Sequence, residues 1–88
     1  MLWNGLGGRL RLVRTEIYGA DDDSGLGALA QSLGIAPQVW RNIEQIGELI
    51  TAGQLLSFIE LTGVNPVWLL RGQGARYRDG RGPDGRFE

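Results

Sequence analysis

Apolar residues recur along this chain in short helical stripes divided by turn residues. Leu6, Leu10, Val13 and Ile17 lie four, three and four positions apart, which places them on one face of a helix. Arg9, Arg11, Arg14 and Glu16 fall off that stripe, and Gly19 closes the helix, as glycine often does just past a C-terminus. Leu26, Leu29, Ala30 and Leu33 predict a second helix, capped by Asp23 or Ser24 and stopped by Gly34. Pro37 suits the first position of a third helix, from which Val39, Trp40 and Ile43 are expected to face inward. Residues 46–50 read as a loop around Gly47. Thr51 and Gln54 have the spacing of a capping box, and Leu55, Phe58, Ile59 and Thr62 continue a fourth helix to Gly63. Asn65 then caps a short fifth helix that opens on Pro66 and ends at Arg71 and Gly72. No segment shows strand alternation, and no internal repeat is visible.

The expected architecture is therefore all-α, a compact bundle of five short helices. Eighty-eight residues suffice for one small domain, which buries only about 60–65% of its unfolded surface. Residues 1–75 are assigned to that domain. Residues 76–88 are rich in Arg, Gly and Asp and are expected to form a flexible tail.

Composition narrows the chemistry. The chain has no Cys and no His, which removes disulfides, thiolate metal sites, Cys/His nucleophile pairs and His general bases. Catalysis would need paired carboxylates in a pocket, for which short helices leave little room, so no enzymatic activity, cofactor or metal is expected. Asp21, Asp22 and Asp23 could attract a hard cation, but the further ligands of a calcium loop are missing, and a solvated turn is the simpler expectation. The glycines of "GLGG" follow no strand and carry no phosphate-loop signal. No apolar run reaches the length of a signal peptide or a membrane span, which predicts a cytoplasmic protein with no membrane partner.

The net charge of −1 is unevenly spread. Residues 1–18 carry +2, residues 71–88 carry +2, and residues 19–70 carry −5, with Arg41 as the single cation of that central part. Every basic residue is Arg.

The second and third helices are joined by a short connection that contains Gly34, which is the arrangement of a helix-turn-helix. Ala30 lies where the two helices would cross, Gly34 allows a positive φ, and Trp40 and Ile43 point back at the second helix. At these residues the chain resembles the lambda-repressor-like, Cro/repressor (Xre) family of DNA-binding domains. The likeness is carried by "LAQSLGIAPQVWRNIE" at 29–44 and by "GELITAGQLLSFIELTGVNPVWLLRGQG" at 47–74, and it extends over about residues 9–75. The resemblance implies a five-helix fold whose third helix enters the major groove of double-stranded DNA, and a sequence-specific transcriptional regulator. It places Pro37, Gln38, Arg41, Asn42 and Gln45 towards DNA and Ser24 near a phosphate. It also implies an ion pair between an Arg of the first helix and Glu44, with Arg14 as the candidate and Arg11 in reserve. Arg, Gln and Asn are the side chains that pair with guanine and adenine edges.

Three features depart from the family pattern. Ala36 stands where a Ser usually caps the third helix. Two residues, Gln45 and Ile46, separate Glu44 from Gly47 where the family commonly has one, so either the third helix lengthens or the loop bulges. The three aspartates sit just before the second helix, where they would repel a phosphate. The acidic centre leaves an alternative open: a protein-interaction module, adaptor or antitoxin-like, on the same fold. Weak homodimerisation is expected through the fifth helix, with Leu69, Leu70 or Trp3 at the contact.

Overall fold

In the computed structural model, residues 5–19 and 23–78 are described. They form α1 (Leu6–Tyr18), α2 (Asp23–Leu33), α3 (Pro37–Gln45), α4 (Ala52–Thr62) and α5 (Pro66–Arg71), with a 3₁₀ turn at Gly47–Leu49 between α3 and α4. Among the described residues there is no strand, only an isolated antiparallel bridge between Val64 and Tyr77. No described helix is long and apolar enough to cross a membrane.

The helix limits follow from local chemistry. α2 ends in a Schellman arrangement. Gly34 adopts φ 72°, its N–H donates to the Gln31 carbonyl at 3.1 Å, and the Ile35 N–H reaches the Ala30 carbonyl at 3.0 Å. A side chain at Gly34 would be strained in that left-handed conformation. α4 opens on a complete capping box: the Gln54 N–H donates to Thr51 Oγ1 at 3.1 Å, and the Thr51 N–H to Gln54 Oε1 at 2.9 Å. Asn65 caps α5 by accepting from the Val67 N–H at 3.0 Å.

α3 is the exception. Ala36 sits at its N-cap with φ −70° and ψ 143° and supplies no side-chain hydrogen bond, while Pro37 follows at the first helical position. Ala36→Ser places a hydroxyl at a backbone already in cap geometry. The variant is expected to raise the unfolding free energy by about 1 kcal/mol, measured by urea denaturation.

α1 is the hub of the fold, packing on α2, α3, α5 and the 3₁₀ turn. Leu6, Leu10 and Val13 of α1 meet Leu26, Leu29 and Ala30 of α2, Trp40 and Ile43 of α3, Phe58 and Ile59 of α4, and Leu69 of α5 in one core. Trp40 and Phe58 stack at its centre with ring centroids 5.2 Å apart. Main chain meets main chain at one end of α1. A Cβ added to Gly7 would stand 2.9 Å from the Glu44 carbonyl carbon, and one added to Gly47 would stand 2.9 Å from the Gly7 nitrogen.

Three expectations are corrected here. Val39 faces outward, 41% exposed. Residues 76–78 are not tail. Tyr77 is a buried core residue, and this segment runs back along the end of α4. The Asn65 N–H donates to the Arg76 carbonyl at 2.7 Å, and the Arg78 N–H to the Gly63 carbonyl at 3.0 Å. Tyr77 Oη donates to Glu16 Oε1 of α1 at 2.5 Å. Arg76 pairs with the other oxygen of that carboxylate and lies over the Trp68 ring. The domain therefore extends at least to Arg78. Finally, Leu69 is fully buried and Leu70 half-buried, so Leu69 cannot offer a self-association surface. Trp3, Asp21, Asp22 and the rest of the expected tail, 79–88, lie outside the described residues.

Candidate functional site

α3 is two-sided. Trp40 and Ile43 are buried, and Glu44 is drawn to the same side by a buried ion pair. Arg14 Nε donates to Glu44 Oε2 at 2.5 Å and Arg14 Nη2 to Glu44 Oε1 at 3.0 Å. Trp40 Nε1 donates to Glu44 Oε2 at 2.6 Å. The paired side chains are only 3% and 8% exposed. Two charge-assisted hydrogen bonds thus fix α3 to α1 from inside, the bond from Trp40 ties the same carboxylate down within α3, and the bidentate fork sets the rotation of α3 as well as its distance.

The remainder of α3 faces outward. Pro37, Gln38, Asn42 and Gln45 are exposed and Arg41 is half-exposed. Gln38 and Asn42 are joined, Gln38 Nε2 donating to Asn42 Oδ1 at 2.9 Å. Ser24 is exposed near the start of α2. Glycine-free and rigidly seated, this face carries hydrogen-bonding groups of both kinds, with Arg41 on one flank and Val39 on the other. Val39 is the residue of this face that the sequence pattern assigns to the core.

α3 does not lengthen to absorb the extra residue after Glu44. It ends at Gln45, and Ile46 turns extended, with φ −131° and ψ 91°. Ile46 is thereby 55% exposed and Leu49, at the end of the 3₁₀ turn, 53% exposed. Gly47 between them is buried against Leu6 and Gly7.

One carboxylate of the acidic centre is compensated inside the fold. Glu44 is neutralised by Arg14 inside the fold. Among residues of 19–70 whose side chains are described, the exposed carboxylates are Glu48 and Glu60. Glu48 borders a recess of about 220 Å³ whose walls include Leu6, Ile50, Leu55 and Leu70, and it is the single carboxylate there.

No protein-family model matches the chain, and neither a curated protein nor a solved structure is found similar to it.

Proposed function

We propose that the chain is a sequence-specific DNA-binding transcriptional regulator in which α2, the Gly34 turn and α3 act as a helix-turn-helix and α3 enters the major groove. The observation that carries this reading is the division of α3. Its inner side is fixed to α1 by the Arg14–Glu44 fork, and its outer side presents Gln38, Asn42, Gln45 and Arg41 on a short, rigid helix. A major groove about 12 Å wide admits such a helix, and these side-chain types pair with base edges. The C-terminal motif "TGVNPVWLL" and its resemblance to lambda-repressor-like domains support the same assignment. Ser24 then lies where the first helix of the pair crosses the backbone.

The test is selection from a randomised duplex pool at two salt concentrations. The expected result is a defined sequence preference with affinity that falls as salt rises. Arg41→Ala is expected to weaken binding to the selected sequence by about 1–3 kcal/mol. Retention of no duplex at either salt concentration overturns the reading.

A second reading is favoured by a specific observation. Val39, Ile46 and Leu49 are large apolar side chains left exposed on and just after α3. A protein-interaction module would use such a surface to hold another polypeptide, with Glu48 at its edge. Stoichiometric capture of one protein partner, lost in Ile46→Ser with Leu49→Ser and accompanied by no duplex binding, would establish this reading instead.

A further inference from the structure

The recess beside Glu48 is built by four elements. Leu6 comes from the start of α1, Glu48 from the 3₁₀ turn, Ala52 and Leu55 from α4 and Leu70 from α5, with Ile50 between the turn and α4. A Cβ added to Gly47 would stand 2.9 Å from Leu6 Cβ, so the turn that carries Glu48 rests directly on the start of α1. The walls are mainly aliphatic, and the Thr51 hydroxyl among them is already engaged, accepting the Gln54 N–H in the capping box.

Size and chemistry narrow what fits there. Small-molecule sites run to roughly 300–1,000 Å³ and bring several polar groups together. This recess, at about 220 Å³, is smaller and offers one carboxylate, too few ligands for a hard cation. One large side chain with an apolar body and a single donor suits it, the body against Leu6, Ile50, Leu55 and Leu70 and the donor towards Glu48. An indole has that form. The fold already pairs an indole with a carboxylate in this way, Trp40 Nε1 donating to Glu44 Oε2 at 2.6 Å.

The chain carries a second such indole close by. Residues 1–4 read "MLWN" and lead into Gly5, one position before the wall residue Leu6. Two residues span at most about 7 Å, which bounds the distance from Gly5 to the Trp3 Cα. Gly5 adopts φ 82°, so the chain leaves the line of α1 at that point. A tether this short gives an effective concentration on the order of millimolar or above, ahead of a partner free in solution.

We propose that the recess is the seat of the chain's own segment 1–4, with the Trp3 indole filling it and Glu48 accepting its N–H. Seated there, Trp3 ties α1, the 3₁₀ turn, α4 and α5 together at one point and is withdrawn from self-association. The seat is independent of the DNA-binding reading, and its test needs no duplex.

The unaltered chain and Trp3→Phe both retain Trp40 and Trp68, so the difference of their emission spectra isolates Trp3. The expected Trp3 emission lies to the blue of indole in water and is several-fold less quenched by acrylamide. Nuclear Overhauser contacts are expected from its ring to the Leu55 and Leu70 methyls. Ala52→Phe adds a ring to the recess at an exposed position, and with a cooperative melt retained it is expected to abolish both the blue shift and those contacts. Glu48→Leu leaves every helix cap intact, and in it the Trp3 indole N–H is expected to exchange faster with water. Water-like emission of Trp3 in the unaltered chain overturns the seat, as do contacts from its ring to residues outside the recess. Protection that appears only as sedimentation shows a dimer places Trp3 in a second copy and overturns the intrachain seat. An unchanged indole N–H in Glu48→Leu overturns the assignment of Glu48.

Discussion

Glu44→Ala is expected to lower the unfolding free energy by about 3–5 kcal/mol, the typical cost of breaking a buried ion pair from one side. The cost arises less from the lost attraction than from what remains. The Arg14 guanidinium is almost entirely enclosed, and Trp40 Nε1 loses its carboxylate acceptor in the same step. A domain of this size has on the order of 5–10 kcal/mol in total, so the variant should unfold at a markedly lower urea concentration, followed by tryptophan fluorescence. Arg14→Met with Glu44→Gln removes both charges and leaves an oxygen for Trp40. That double variant is expected to be clearly more stable than Glu44→Ala, because no uncompensated ion is left inside. If the two were equally destabilised, the loss would come from packing and not from a stranded charge.

Tyr77→Ala is expected to cost about 3–5 kcal/mol, comparable to truncating any large aromatic of a core. The residue lies one position beyond Arg76, in a stretch whose composition reads as tail. Tyr77→Phe separates the contributions. It keeps the ring in the core and removes only the hydrogen bond to Glu16, for which about 1.5–3 kcal/mol is expected. A chain ended after residue 75 should behave like Tyr77→Ala or worse, since it also loses the Arg76 pairing with Glu16. Unchanged unfolding midpoints in the shortened chain would return this segment to the tail.

Why some of this could be read in the letters and some could not comes down to particular residues. Helix limits were legible because caps are local: Thr51 with Gln54, Pro37, Asn65 with Pro66, and Gly34 each act within four or five positions. Val39 was misplaced because a hydrophobic pattern counts a charged residue as outward. The buried side of α3 is centred on Trp40, Ile43 and Glu44 together. At 100° per residue, Val39 lies about 140° from Glu44 and swings towards solvent. Counting Glu44 as interior is the signal that would have found Val39, and only its pairing with Arg14 licenses that count. Tyr77 was missed for a different reason. Its ring joins a core built from residues far back in the chain, and its hydroxyl pairs with Glu16, 61 positions away in the sequence; no local composition encodes contacts of that range.

The joint between Gly7 and the chain around Glu44 and Gly47 has a mechanical consequence. Most packed contacts contain a side chain that can change rotamer and absorb a displacement of a few tenths of an ångström. Where two glycines bring main chain against main chain, no such cushion exists. Together with the Arg14–Glu44 fork farther along α1, the joint makes α1 and α3 one stiff lever with two points of attachment. A load applied to α1 would tilt α3 as a body and would not be lost in the repacking of side chains between them.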